Sequence, residues 1–296
     1  MKKIPIIIDT DPGIDDFFCL ALGLSYEDVF DLKAVTTMGG NNYTEVTTAN
    51  AIDIVHLFKK EVPVAMGAKS YLKEAFEEPV WQHHGHNGLA DAQIPHCAGT
   101  PDPLRAWDKI AQVAEECAGE LVLVTVAPQT NIALALQKYP QLPSQIRKIV
   151  MMGGSTEAGN ITPYAEANIG HDAWAADIVF RSGIPVDMVG LNVTLKCPLP
   201  REIFDPISEK LDPVIRGTMQ TMIDFRKGEP MHDAVAIASL IDEKILEFLP
   251  ADVTVETENG ERIGQTVVKE NSGANTRVAV KADLPRYYNV IAGMCH

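Results

Sequence analysis

An open α/β fold is the architecture this sequence predicts: a mostly parallel sheet flanked by helices, with the site at the C-terminal ends of the strands. Two observations carry that expectation. Short apolar runs of strand length alternate with helical periodicities through the first half of the chain, the signature of βαβ units. A cluster of acidic residues stands directly after the first run, where open α/β sheets bind ligands.

Taken in order, residues 4–8 are an isoleucine-rich run, and residues 14–24 place apolar side chains at helical spacing. Residues 32–37 and 45–59 repeat the strand and helix pair. Asp102-Pro103 reads as an N-cap followed by proline in the first turn, with Leu104, Trp107, Ala111 and Ala114 helically spaced and Gly119 as the stop. Residues 121–126 read as a fully buried strand, 130–136 as a helix, 149–152 as a strand, 173–181 as a helix ended near Gly183, and 186–189 as a strand. About six parallel strands result. Beyond about residue 195 the pattern is mainly helical, at 214–225 and 234–241, with a hairpin turning at Asn259-Gly260 inside 253–268.

No Pro/Gly/Ser-rich linker, charge block or repeat interrupts the 296 residues, so 1–296 is read as a single domain. Roughly 75% of an unfolded chain this long is buried on folding, which excludes disordered and disulfide-stapled classes. Lys+Arg number 25 against 40 Asp+Glu, a net charge of −15 that argues against a nucleic-acid surface and suits a divalent cation. The 5 cysteines form no Cys-x-x-Cys pair and point to a reducing cytoplasm. The N-terminal apolar run reaches Asp9 too soon for a signal peptide, and no stretch of about 18 apolar residues occurs, so neither export nor membrane spanning is expected.

Asp9, Asp11, Asp15 and Asp16 crowd four carboxylates into one short segment. Helix capping and dipole effects account for two of them; like charges this close otherwise repel unless a hard cation sits among them. Asp15 and Asp16 are adjacent on a helix, about 100° apart, so one is expected on metal and the other on substrate. His232-Asp233 opens a helix far downstream, and nothing in the spacing brings it to Asp11; taken alone, a structural histidine is the default reading. Asn160, Glu166 and Asn168 follow a strand and suit either a polyhydroxylated ligand or loop backbone groups, and Asn41 after Gly39-Gly40 shares that ambiguity. His83, His84 and His86 lie in a Gly-rich stretch without zinc-site spacing and read as a flap.

Taken together these segments resemble the inosine-uridine nucleoside hydrolase family. The resemblance runs from DTDPGIDD (residues 9–16) through Ala127-Pro128-Gln129-Thr130-Asn131, Met151-Met152-Gly153-Gly154, Ala165-Glu166-Ala167-Asn168 and Met188-Val189-Gly190-Leu191 to His232-Asp233, and on to Gly264-Gln265-Thr266-Val267 and Thr276-Arg277-Val278-Ala279-Val280, across nearly the whole chain. It implies calcium-dependent hydrolysis of the N-ribosidic bond of ribonucleosides, a role in nucleoside salvage, and a homodimer or homotetramer. Asp11, Asp16 and Asp233 would supply carboxylate oxygens to Ca²⁺ and Val126 its carbonyl. Asp11 would deprotonate the attacking water, and His232 would protonate the leaving base. Asp15, Asn41, Asn160, Glu166 and Asn168 would hold ribose, with Met152 packed against it and His84 also on the substrate. Two departures fall where the base should bind: Ala167 stands where an aromatic residue is common, and only Phe225 stands in place of a tyrosine-bearing helix before His232. Competing readings are a Mg²⁺-dependent phosphohydrolase of the haloacid-dehalogenase type, which also places Asp-x-Asp after its first strand, and a non-catalytic nucleoside- or calcium-binding protein.

Overall fold

The computed structural model describes residues 2–76, 78–79, 81–258 and 260–294. Its strands are β1 Ile4–Thr10, β2 Phe30–Thr37, β3 Val64–Met66, β4 Leu121–Thr125, β5 Ile146–Met152, β6 Val186–Val189, β7 Leu246–Val255, β8 Thr266–Glu270 and β9 Thr276–Ala282. They form one sheet in the order β3-β2-β1-β4-β5-β6-β9-β7-β8. From β3 to β9 every pairing is parallel, while β7 runs antiparallel to both β9 and β8.

Side chains along the central strands alternate between the two faces, as a pleated strand dictates. Ile6, Ile8, Val122, Val124 and Val150 enter one apolar cluster with the helices Ile14–Ser25 and His232–Ile241. Ile7, Leu121, Leu123, Ile149 and Met151 enter another on the opposite face, against the helices Ala106–Cys117 and Ala173–Phe180. Both faces being covered explains why the strands read as continuous apolar runs.

Three expectations need correction. Seven strands are mutually parallel, one more than expected, because β3 and β9 carry weak apolar patterns. The region after residue 195 adds to its helices and the expected hairpin a further strand, β9, that was not expected. Asp102 does not cap a helix. The helix begins at Ala106 with Arg105 before it, because Asp102 instead bridges Ala65, accepts from the Leu104 amide and pairs with Lys109 at 2.7 Å. The expected hairpin exists as β7 and β8, closed by the Val255 and Thr266 pair. Asn259, half of its proposed turn, lies outside the described residues.

Candidate active site

The C-terminal ends of β1, β4 and β5 open onto a cavity of about 580 Å³, lined among others by Asp15, Asn41, Val126, Met152, His232 and Asp233. Its floor is built at the end of β1. The chain leaves the sheet at Thr10, turns through Asp11-Pro12-Gly13 and enters a helix at Ile14. The Asp16 carboxylate folds back over that turn: it accepts from the Thr10 hydroxyl, the Asp11 and Gly13 amides, and the Asn41 side-chain amide at 3.0 Å. The capping expectation thus holds for Asp16.

Asp11 is buried beside it. Its Oδ2 accepts from the Asn41 amide at 2.7 Å, whereas its Oδ1 makes no hydrogen bond among the described residues. Gly40 is required here, since a β-carbon at that position would stand 2.0 Å from Asp11 Oδ2.

Sequence spacing could not connect His232-Asp233 to this segment, but the fold does. The helix His232–Ile241 packs directly against Ile14–Ser25, both nearly fully buried. Carboxylate oxygens of Asp15, Asp16 and Asp233 consequently lie within 4.8 Å of one another. Although their oxygens come this close, Asp15 and Asp16 point differently: Asp16 turns back to cap the helix while Asp15 lines the cavity. Burial, reinforced by Asp15, pushes the Asp16 carboxyl up to about 7, and burial with the charges of Asp15 and Asp16 raises Asp233 well above the usual range. Asp11 is raised likewise, by burial first and then by Asp16. A cation among these carboxylates would favour their ionised forms. The all-oxygen donors and the unpartnered Asp11 Oδ1 fit a hard divalent ion.

The remaining expected residues surround this floor. The Val126 carbonyl at the end of β4 accepts from Asn168 Nδ2 at 3.1 Å, and the same amide reaches the Met152 carbonyl at 3.2 Å. Glu166 caps the short helix Ala167–His171: its oxygens accept from the Asn168, Ile169 and Gly154 amides, and burial still lifts its carboxyl to about 7. Asn160 accepts from the Ala167 amide at 2.9 Å. His84, in the short helix Trp81–His84, covers the floor by accepting from the Ile14 amide at 3.1 Å, and burial pushes its ring down to about 4. His83 lines the cavity, but His86 instead faces Asp91 and Trp81.

His232 is 9% exposed, and its Nδ1 lies 2.7 Å from Thr194 Oγ1. Thr194 was not legible as a partner, because only the fold joins it to a residue 38 positions away. Arg226, Glu229 and His171 also line the cavity without any sequence signal. Phe225 does not line it, whereas Ala167 does.

An open α/β sheet with buried carboxylates and a histidine at one cavity makes a site that can hold a cation and exchange protons with a polar ligand, the layout of an enzyme's active site. The family profile described as inosine-uridine preferring nucleoside hydrolase matches residues 6–289. The chain is 39% identical over 277 residues to a protein from Photobacterium profundum named pyrimidine-specific ribonucleoside hydrolase RihA, covering 89% of this chain and 88% of that one. The solved purine-preferring ribonucleoside hydrolase from Gardnerella vaginalis superposes with a TM-score of 0.91 at 32% identity, covering 98% of each chain. A plant nucleoside hydrolase, PpNRh1, superposes with a TM-score of 0.92 at 26% identity and 99% coverage of each. The chain belongs to the inosine-uridine preferring nucleoside hydrolase family, enzymes that cleave the N-glycosidic bond of nucleosides. Membership sets aside the phosphohydrolase reading.

Proposed function

We propose that this protein is a calcium-dependent ribonucleoside hydrolase of nucleoside salvage, releasing free base and ribose. The observation that carries the reading is the buried Asp15, Asp16 and Asp233 cluster beside the unpartnered Asp11 Oδ1, with His232 lining the same cavity. Asp11, Asp16, Asp233 and the Val126 carbonyl would hold Ca²⁺. When bound, the ion supplies Lewis acidity that acidifies a water and orients the ribose diol.

This chain's residues perform the rest. Asp11 takes the proton of the attacking water on its carboxylate. The surrounding carboxylates favour the positive charge that develops on the sugar as the C–N bond lengthens. Asp15, whose carboxylate lines the cavity, hydrogen-bonds ribose hydroxyls together with Asn41, Asn160, Glu166 and Asn168, and Met152 packs against the ring. His84 closes the substrate side. The Thr194 hydroxyl at Nδ1 orients the His232 ring and leaves Nε2 free to protonate the departing base.

Pyrimidine ribonucleosides are the first substrates to try, because curated relatives at 34–39% identity are named pyrimidine-specific; the Gardnerella vaginalis enzyme, named purine-preferring, adds a purine ribonucleoside, for which inosine serves. Cys19, Cys97, Cys117 and Cys197 are unpaired, which supports a reducing, cytoplasmic setting, and a homodimer or homotetramer is proposed with it. Incubation with each common nucleoside, followed by assay of ribose, tests the function. Release from uridine or inosine is the expected result.

A further inference from the structure

The leaving base must carry off the electron pair of the broken bond, and one cavity residue outside the roles above is built to receive that charge. Arg226 ends the helix Pro213–Phe225, and its side chain is only 12% exposed. Its place is fixed by the turn that follows: Lys227 and Gly228 adopt left-handed backbone, the Gly228 amide bonds back to the Ile223 carbonyl at 2.9 Å, and the Gly228 carbonyl receives the Leu199 amide. A β-carbon at Gly228 would meet Pro200 at 2.9 Å, so this turn admits little else. Arg226 Nε donates to Glu229 at 3.1 Å, while Nη1 and Nη2 make no hydrogen bond among the described residues. Arg226 is the permanently charged cation among the described residues lining the cavity. It lines the same cavity as Asp15, His84 and His232, where its charge favours the ionised form of Asp15 and opposes protonation of the two histidines.

We propose that Arg226 is a base-reading catalytic residue whose terminal guanidinium nitrogens donate to a carbonyl oxygen of the departing base and stabilise its anionic charge. The assignment rests on the hydrolase reading. As the C1′–N bond breaks, its electron pair passes to the ring nitrogen; water adds its oxygen to C1′ and yields one proton to Asp11, and the base takes up a proton from His232. In uracil the charge spreads from the ring nitrogen onto the two carbonyl oxygens, acceptors that a donor-only guanidinium matches. The favoured substrates are therefore nucleosides of carbonyl-bearing bases.

The test is a leaving-group series of 5-fluorouridine, uridine and 5-methyluridine, measured with the Ca²⁺-loaded wild type, Arg226→Gln and Arg226→Lys. Electron-withdrawing fluorine makes the base a better anion and lessens its need for help. Arg226→Gln is expected to lower kcat/KM on uridine on the order of 10²-fold, with a clearly smaller loss on 5-fluorouridine and a larger one on 5-methyluridine. Arg226→Lys should recover part of the rate, and inhibition by free ribose should be unchanged in both variants. Equal losses across the series, or none, would overturn the role of Arg226 while leaving the hydrolase reading intact. Absence of turnover by the wild type would overturn that reading and this assignment with it.

Discussion

Opposite chemical roles are proposed for Asp11 and for His232, which lines the cavity, and single substitutions separate them. Asp11→Ala should lower kcat/KM by at least the roughly 10²–10⁴-fold typical of a general base, while the protein stays folded by circular dichroism; substantial retained activity would remove Asp11 from the mechanism. His232→Ala should cut kcat on uridine or inosine by about 10²–10⁴-fold yet barely slow p-nitrophenyl riboside, whose leaving group is a stable anion without protonation. Equal losses on both would make His232 a structural residue held by Thr194. The N-terminal part of the acidic floor was legible in the sequence because Asp9, Asp11, Asp15 and Asp16 are nearly contiguous and capping could not account for all of them, whereas Asp233 joins them only through helix packing. Thr194 and Arg226 were not legible, because their place beside His232 is made by helix packing and a left-handed turn rather than by spacing.

Strands with strong, unbroken apolar patterns were the ones readable in advance, and the exceptions have local causes. In β9, Arg277 and Lys281 interrupt the apolar run. In β7, Pro250 breaks the strand pattern, and the fold tolerates it because the β8 ladder begins only at Ala251. Polar residues here tie strands together: Asp187 on β6 accepts from Lys148 on β5 at 2.8 Å and from two guanidinium nitrogens of Arg277 on β9 at 2.7 and 2.8 Å. Burial opposes its ionisation, yet Arg277 and Lys148 hold its carboxyl below the usual range. A depressed carboxyl contributes stability above the unfolded value near 3.8, and that stability is lost as pH falls through the folded value. Asp187→Asn should therefore cost about 2 kcal/mol at pH 7, less than the roughly 3–5 kcal/mol of a fully buried pair, since Arg277 is half exposed. Urea denaturation at pH 7 and pH 3 should show that gap shrinking in acid. A gap independent of pH would mean that the triad does not act through charge.

At the level of the whole molecule, fold and site are the same object: the parallel sheet delivers β1, β4 and β5 to one edge, and the contact between the helices Ile14–Ser25 and His232–Ile241 completes the acidic floor. That long-range contact gathers the like charges that the proposed Ca²⁺ would neutralise, and a bound ion should stabilise the folded state accordingly. Calcium at about 100 times its dissociation constant should add about 2.7 kcal/mol, read as a rise of several degrees in Tm over the chelated protein; Asp16→Ala or Asp233→Ala should largely abolish the rise. The central claim, calcium-dependent ribonucleoside hydrolysis, is tested most directly by chelating the purified protein, titrating Ca²⁺ back, and measuring ribose released from uridine and inosine. Ribose release should be lost on chelation and restored by Ca²⁺. Undiminished release after complete chelation, or no release from either nucleoside at saturating Ca²⁺, would contradict that claim.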